Sequence, residues 1–222
     1  MTLPVPTQQN IFMSQILIIR HGETQWNKGE IFRGRHDIGL NETGIRQAGY
    51  LGKYLAETKL EAVYSSPLKR ARDTADPVAR NHSLDIGIAP ELIDLDYGEW
   101  EGKSHQEVKD NYPELYYKWL NAPHLVDFPD GENLERVRGR VKSLLDRLLV
   151  KHSDKLALVS HRVVSKVLVC LMLGLDNSRF WDIKMDLGGI TIFDYASGRY
   201  RLIRHNDTTY LGQSDGLVQN DF

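Results

Sequence analysis

Cysteine is almost absent from this sequence. The single cysteine, Cys170, lies within an apolar segment. One cysteine excludes an internal disulfide framework, and such scarcity is typical of proteins that remain in a reducing compartment. The first 15 residues also lack the basic start and apolar core of a secretory signal peptide. These absences lead us to expect a cytoplasmic protein.

An excess of charge and long apolar runs are also missing. The formal net charge is −2 and the isoelectric point is about 6.4, which gives no electrostatic basis for binding nucleic acid or an anionic membrane surface. No apolar run approaches the roughly 20 residues that span a bilayer. We find no internal repeat and no low-complexity linker. The 222 residues, 41% of them hydrophobic, are enough to bury one sizeable core.

Two short apolar runs predict buried strands of a parallel sheet. They are Ile16-Leu-Ile-Ile and Lys155-Leu-Ala-Leu-Val-Ser. Because strands and helical patterns alternate along the chain, we predict a single three-layer α/β/α domain with a mostly parallel sheet. The predicted domain covers residues 16–205, with residues 1–15 and 206–222 as tails.

Capping residues predict where two of the helices begin. Thr43 is placed to cap a helix over residues 44–58. Ser66 followed by Pro67 is typical of a second helix start, with serine as the cap and proline in the first helical position. Pro77 then predicts a break or kink in that second helix.

The C-terminal half predicts the longest helix and a hairpin. Apolar residues recur at helical spacing from Glu132 to His152. Ser197-Gly198 separates two strand-like runs and predicts a hairpin turn. The exposed edge of that hairpin is a candidate surface for a homodimer.

Both apolar strands lead into a histidine. Arg20 and His21 follow the first run, and His161 follows the second. Since the carboxyl ends of parallel strands lie at one edge of a sheet, we expect the two histidines to face one pocket. The second helix start brings Arg70 to the same region. Arginines beside a histidine pair favour a phosphoryl group over a metal, because guanidinium repels a cation and binds phosphate oxygens bidentately.

Four short motifs now stand in a fixed order along the chain, and together they resemble the histidine phosphatase superfamily, also called phosphoglycerate-mutase-like. The first two are Arg20-His21-Gly22-Glu23-Thr24 with Asn27, and Ser65-Ser66-Pro67-Leu68-Lys69-Arg70-Ala71 with Thr74-Ala75. The others are Tyr97-Gly98-Glu99-Trp100-Glu101-Gly102 and Val159-Ser160-His161. The resemblance extends from about Ile16 to Ile203.

The resemblance implies a role for each matched polar residue. His21 is the implied nucleophile, which attacks phosphorus to give a phosphohistidine. Arg20, Arg70 and His161 form the implied phosphate clamp, with Asn27 as a neutral donor. On this interpretation His161 acts as an imidazolium, and the positive charge makes a metal or other cofactor unnecessary.

The acid that protonates the leaving group departs from the family pattern. The family usually places glutamate four residues before the glycine of the acidic loop, whereas this chain has Asp94. Aspartate has the right chemistry but is one methylene shorter. We therefore expect Asp94 as the proton donor, with Glu99 as the second candidate and Glu101 as the third.

Two arginines also depart from the family pattern. Arg33 stands before Gly34 where relatives often have glutamine, and Arg162 stands after His161 where they often have glycine. Arg33, beside Gly34, is placed to reach a substrate carboxylate or a second phosphate. Arg162 is a second candidate substrate-binding residue, or a partner of the acidic loop. Each is otherwise an ordinary surface arginine.

Three functions are compatible with these motifs. The first is a metal-independent phosphatase that acts on a small phosphorylated metabolite, and the second is a phosphoglycerate mutase with the same site. Mutases of the family carry a long insertion after the acidic loop, whereas only about thirty residues separate Gly102 from Gly131 here, which favours hydrolysis. The third is a catalytically silent protein that binds phosphorylated ligands. Phosphoserine, α-ribazole phosphate and phosphosugars all remain open as substrates.

Overall fold

The computed structural model describes residues 14–29 and 31–212. Within them six strands form one sheet in the order β3-β2-β4-β1-β5-β6. The strands are β1 (Ser14–Arg20), β2 (Leu60–Ser65), β3 (Ile86–Ile88), β4 (Lys155–Ser160), β5 (Ile190–Ala196) and β6 (Arg199–Asp207). Strands β3, β2, β4 and β1 run parallel, and β5 runs antiparallel to both of its neighbours. The predicted mostly parallel sheet is therefore confirmed.

Helices cover both faces of the sheet. They are α1 (Gln25–Lys28), α2 (Glu42–Leu55), α3 (Lys69–Asn81), α4 (His105–Asn111), α5 (Pro113–Asn121), α6 (Leu134–Lys151) and α7 (Arg162–Met172). Helices α2 and α3 pack on one face, and α6 and α7 pack on the other. None of the helices in the described ranges is both long and apolar enough to cross a bilayer.

The continuous apolar run of β1 is explained by this three-layer arrangement. Side chains alternate along a strand, so successive residues of a central strand enter opposite layers. Ile16 and Ile18 pack with the α6 and α7 layer, whereas Leu17 and Ile19 pack with α2 and α3. All four side chains are at most 1% exposed. Because polar residues do not alternate with apolar ones in β1, the sequence correctly predicted a strand that is buried between two helical layers.

The helix starts differ from the sequence expectations. Helix α2 is capped by Asn41, whose Oδ1 accepts a hydrogen bond from the Gly44 backbone N–H at 2.9 Å, so Thr43 is not the cap. Helix α3 begins after Leu68, two residues beyond the predicted Ser66 cap. Pro77 lies inside α3, which continues to Asn81, so the helix does not break there, and the alternative of a kink stays a prediction.

The sheet extends slightly beyond the range predicted for the domain. Strand β1 begins at Ser14 and β6 continues to Asp207, followed by a short 3₁₀ turn over Thr209–Leu211. The remaining parts of both predicted tails, residues 1–13 and 213–222, lie outside the described residues. The predicted hairpin is confirmed as β5 and β6, and β6 lies at the sheet edge. A homodimer formed through that edge stays a prediction.

Candidate active site

Strand register brings the two histidines together. Strands β1 and β4 pair in parallel, with Arg20 beside Ser160, so the next residue of each strand is a histidine. The His21 backbone N–H donates to the Ser160 carbonyl at 2.9 Å and continues the ladder by one bond. The rings of His21 and His161 lie 5.2 Å apart between centroids, tilted by 60°. The prediction that both face one site is confirmed.

The tautomer of His21 is determined by a local hydrogen bond. Its Nδ1 lies 2.7 Å from the Gly22 carbonyl oxygen. A carbonyl oxygen only accepts, so Nδ1 carries the proton and Nε2 keeps its lone pair. Burial and the charges of Arg70, Arg20 and Arg33 lower the pKa of His21 well below 6.5. At neutral pH this imidazole is therefore uncharged and nucleophilic at Nε2.

The loop after His21 is held by contacts with α2 and α3. The Gly22 N–H donates to Thr74 Oγ1 at 3.0 Å, and the Glu23 N–H donates to Gln47 Oε1 at 2.8 Å. Helix α2 approaches this loop closely, because a Cβ on Gly44 would lie 2.1 Å from the Glu23 carbonyl oxygen. Glycine is required at that crossing, and the backbone that carries His21 is fixed on two sides.

Arg70 is hydrogen-bonded on several sides within the site. Its side chain is fully buried, and its Nη1 and Nη2 donate to the carbonyls of His36 at 2.7 Å and Gly34 at 2.8 Å. Nη2 also donates to Asp94 Oδ2 at 3.1 Å, and Nε donates to His161 Nδ1 at 3.2 Å. Burial lowers the pKa of Arg70, while Asp94 raises it. These bonds fix the orientation of the guanidinium before any substrate binds.

His161 differs from the expectation in its charge. Because Nδ1 accepts from Arg70, Nε2 carries the proton and donates to Ser66 Oγ at 2.7 Å. Burial and the neighbouring Arg70 and His21 lower the pKa of His161 well below 6.5. The expectation of an imidazolium at this position was wrong for the unliganded site. A fully buried ring beside a fixed guanidinium favours the neutral form.

Asp94 joins this cluster, whereas the other two candidate acids do not make these contacts. Asp94 Oδ2 contacts Arg70 and lies 3.6 Å from His161 Nδ1. Glu99 is exposed, and its carboxylate accepts from the Tyr112 hydroxyl at 2.8 Å. Glu101 Oε1 accepts from the Arg35 N–H at 2.8 Å. Asp94 is thus the candidate acid that contacts both the histidine and the arginine.

The backbone of the Asp94 loop is held from α6. Arg140 Nη2 donates to the Asp94 carbonyl at 3.3 Å, and its Nε donates to Glu132 Oε1 at 2.8 Å. The Asp94 Oδ1 atom accepts from the Leu95 N–H at 3.0 Å. The shorter side chain of aspartate is therefore placed at the site by a fixed loop.

Arg20 is the last residue of β1, directly before His21, and Asn27 lies on α1, which follows the loop after His21. Arg20 is 1% exposed, and its Nη1 donates to the Met185 carbonyl. Asn27 is 6% exposed, and its Oδ1 accepts from both the N–H and the hydroxyl of Thr24, each at 2.8 Å. The Asn27 amide thereby closes the first turn of α1 and is held in one orientation.

The remaining predicted residues form a second group beside the histidines. Gly34 has a φ of +48°, and a Cβ there would lie 1.8 Å from Glu101 Oε1. Its carbonyl accepts from Arg70, so the glycine allows the loop to approach that arginine. Arg33 is 9% exposed, and Arg162 donates a hydrogen bond to the buried Tyr97 hydroxyl.

Sequence reasoning missed four residues that hold the site together. They share the role of orienting a neighbour through a hydrogen bond, and they are Ser66, Thr74, Tyr97 and Arg140. Ser66 was interpreted as a helix cap, because serine before proline is typical of one. The signal for Thr74 was its place in the second motif. Nothing local in the sequence indicates the partners of Tyr97 and Arg140.

Comparisons with known proteins agree with this geometry. A sequence model of the histidine phosphatase superfamily (branch 1) matches residues 16–208. Phosphoserine phosphatase 1 of Hydrogenobacter thermophilus is 34% identical over 202 residues, which cover 90% of this chain and 96% of that protein. The adenosylcobalamin/alpha-ribazole phosphatase of Escherichia coli is 30% identical over 175 residues, which cover 78% of this chain and 86% of that protein. The solved structure of Bacillus stearothermophilus YhfR superposes with a TM-score of 0.85 at 28% identity, covering 89% of this chain and 99% of that one.

Proposed function

Since the chain belongs to the histidine phosphatase superfamily (branch 1) and is a phosphatase that hydrolyses phosphoric monoesters, we propose that it works through a phosphohistidine at His21 and without a metal ion. The observation that carries this proposal is the fixed tautomer of His21. The Nδ1 proton is bonded to the Gly22 carbonyl, which leaves Nε2 as the nucleophilic atom. The lowered pKa keeps that atom unprotonated at neutral pH.

In the first step, His21 Nε2 attacks phosphorus in line with the ester oxygen. The P–N bond forms and the P–O ester bond breaks, and the leaving alkoxide takes a proton from Asp94. This carboxylate pairs with Arg70 and gains that proton when the anionic phosphate binds beside it. Arg20 and Arg70 stabilise the negative charge that spreads over the equatorial oxygens. Such an arrangement needs little movement, because Arg70 is already fixed by two backbone carbonyls.

In the second step, water attacks the phosphohistidine. Asp94, now a carboxylate, accepts a proton from that water, the P–N bond breaks, and the electron pair returns to His21 Nε2. Inorganic phosphate leaves, and the protonation states of both residues are restored. The neutral form of His161 suits this cycle, because its Nδ1 accepts from Arg70 and its Nε2–H donates to Ser66.

Metal independence is supported by the kind of groups at the site. The cations that surround His21 are arginines, which supply the positive charge that a divalent ion supplies in other phosphatases. Within residues 14–29 and 31–212, no three His, Cys, Asp or Glu side chains are grouped to hold a metal ion. A chelator should therefore leave the activity intact.

Hydrolysis is favoured over mutase activity by the segment after the acidic loop. That segment contains α4 and α5 and a 3₁₀ turn over Pro123–Leu125 before α6 begins. It has no further element with which to enclose the phosphohistidine. The names of the two curated relatives suggest phosphoserine and α-ribazole phosphate as the first substrates to try.

The test is a phosphoester panel measured in excess chelator. The panel contains p-nitrophenyl phosphate, phosphoserine, 3-phosphoglycerate, α-ribazole phosphate and sugar phosphates. His21→Ala is compared with His124→Ala, because His124 is an exposed histidine away from the strand ends. We expect phosphate release in chelator by the wild type and by His124→Ala, and its loss in His21→Ala.

The intermediate is tested by rapid quenching with ³²P-labelled substrate. A label on the protein that is labile in acid, stable in base and absent from His21→Ala supports the phosphohistidine route. Phosphate release that requires a metal ion, or that persists in His21→Ala, would contradict the proposal. Transfer of the label to phosphoglycerate rather than to water would indicate the mutase instead.

A further inference from the structure

Two arginines lie beside the reaction centre and close to each other. Arg33 comes from the loop after α1, and Arg162 is the first residue of α7, directly after His161. Each stands next in the chain to a group that binds Arg70, because the Gly34 carbonyl accepts from Arg70 Nη2 at 2.8 Å and His161 Nδ1 accepts from Arg70 Nε at 3.2 Å. Burial and the charge of Arg162 lower the pKa of Arg33 to about 10, which agrees with this placement. Arg33 therefore remains a cation at neutral pH. Two like charges next to each other, one of them 9% exposed, are unfavourable in the unliganded protein.

Arg33 also has unused hydrogen-bonding capacity. Its Nε is buried and has no hydrogen-bond partner among the described residues. Its Nη1 makes one long contact, 3.4 Å, with the Trp26 carbonyl oxygen. A buried N–H without an acceptor is unfavourable. An anion bound here would supply the missing acceptor and offset the charge.

The aromatic groups beside this pair are neutral. Burial raises the pKa of Tyr97 to about 12, so its hydroxyl, bonded to Arg162, keeps its proton. Burial and the two arginines lower the pKa of His105 to about 4. His105 stacks on Phe32 with ring centroids 4.3 Å apart. Neither ring therefore supplies a negative charge to the two arginines.

The position of Arg33 connects this pair to the phosphoryl site. Its charge is among the causes that lower the pKa of both His21 and His161. Asp94, the proposed proton carrier, is close enough to raise the pKa of Arg33. Since Gly34 and His161, their neighbours in the chain, both bond Arg70, an anion between Arg33 and Arg162 would lie beside the phosphoryl group that Arg70 binds.

We propose that Arg33 and Arg162 form a second anion site, which selects small phosphomonoesters that carry a second anionic group near the ester. That group is a carboxylate or a second phosphate, since both present oxygens that guanidinium groups bind bidentately. This inference rests on the proposed function, because it assigns the substrate class of the same site. It concerns only which phosphomonoesters the site binds, and it assumes the proposed reaction at His21.

The test compares substrates that differ in the second group. The carboxylate pairs are phosphoserine with phosphoethanolamine, and 3-phosphoglycerate with glycerol 3-phosphate. The phosphate pair is fructose 1,6-bisphosphate with fructose 6-phosphate. In at least one pair, we expect the wild type to have a kcat/KM about tenfold or more higher for the member that carries the second anionic group. Which kind of pair shows the preference identifies the second group.

Variants assign the preference to the two arginines. Arg33→Gln and Arg162→Gln should bring the ratio of the two kcat/KM values within each pair close to one. Arg33→Lys and Arg162→Lys should retain part of the preference, because lysine keeps the positive charge. Arg80→Gln is the control, because Arg80 is an arginine on α3 with a side chain 77% exposed. It should leave every ratio unchanged.

The failures of this inference and of the proposed function are distinguishable. If wild type hydrolyses p-nitrophenyl phosphate through an acid-labile label but all pair ratios are near one, the second site is wrong and the proposed function stands. If no substrate is turned over, calorimetric binding of 3-phosphoglycerate and glycerol 3-phosphate decides. Equal affinities would overturn the second site, and tighter 3-phosphoglycerate binding that Arg33→Gln abolishes would support it.

Discussion

Replacement of Asp94 by asparagine gives the sharpest test of the proposed proton transfer. The change removes the ionisable proton but keeps the size of the side chain and an oxygen that accepts from Arg70. We predict that kcat/KM for an alkyl phosphate such as phosphoserine falls by about 10²–10⁴-fold, the usual contribution of a general acid. That loss corresponds to about 2.7–5.4 kcal/mol.

The same substitution should affect p-nitrophenyl phosphate differently. Its leaving group departs as a stable anion that needs no proton, so kcat/KM, which reports phosphoryl transfer to His21, should fall by less than about tenfold. The turnover number of Asp94→Asn should fall for both substrates. In the second step the attacking water must lose a proton, and this variant lacks the carboxylate that accepts it. The measurement is a pair of kcat/KM values for each variant.

The structure also sets the expected cost in stability. Asp94 is 5% exposed, and its Oδ2 lies 3.1 Å from Arg70 Nη2. Two charges about 4 Å apart attract by roughly 4 kcal/mol at an effective dielectric constant of 20, which is an upper limit here. Because the asparagine oxygen keeps the hydrogen bond, we expect a loss of about 1–3 kcal/mol in the free energy of unfolding. Inorganic phosphate should bind Asp94→Asn more tightly, since a competing anion has been removed.

Two further variants make this result interpretable. Asp94→Glu, which restores the residue usual in the family, should retain much of the activity on phosphoserine. Glu99→Gln makes the same chemical change at an exposed carboxylate bonded to Tyr112, and should leave both kcat/KM values within about twofold. Equal losses on the two substrates in Asp94→Asn would refute the assignment of Asp94 as the proton donor.

Three further predictions follow from burial and packing. The acidic limb of kcat/KM for p-nitrophenyl phosphate should lie below pH 6.5, because the lowered pKa of His21 delays its protonation as pH falls; a limb at or above 6.5 would contradict this. The melting temperature should fall between pH 7 and pH 5. The reason is that the unfolded chain binds protons at His21 and His161 below about pH 6.5, whereas the folded chain does not. The double variant His21→Gln, His161→Gln should show a smaller fall. Gly44→Ala should destabilise the protein in urea, because its Cβ would lie 2.1 Å from the Glu23 carbonyl oxygen, whereas Gly49→Ala on the same helix meets nothing within 4 Å and should stabilise it by about 0.5–1 kcal/mol.

The parts of the fold that the sequence predicts are those determined by local patterns. Ile16–Ile19 is apolar throughout, which indicates a strand covered on both faces, and the same holds for the run before His161. Two such strands in a parallel sheet place both histidines at one edge whatever the rest of the chain does. The start of α4 is also local in origin, because Ser104 and Glu107 form a capping box directly at its N-terminus.

The features that could not be predicted depend on distant partners. The Ser66 hydroxyl bonds His161, 95 positions away in the chain, and the helix start shifts to Leu68. The charge of His161 depends on its burial beside Arg70, which no local pattern reveals. The sequence ranks Asp94 before Glu99 through the family resemblance alone, whereas the contact of Asp94 with Arg70 depends on the folded loop. Residue types indicated the chemistry, but tertiary contacts decide the protonation states.

The register of β1 against β4 fixes the two histidines independently of the loop that carries Arg33. The strands pair without interruption from Gln15 and Lys155 to Arg20 and Ser160, so the spacing of the two histidines is set by the backbone ladder. Arg33, in contrast, comes from an irregular loop, where a change of residue disturbs no strand pairing. A protein engineer can therefore exchange Arg33 without changing the spacing of the two histidines, whereas Gly34 and His36 of the same loop must keep the backbone that binds Arg70.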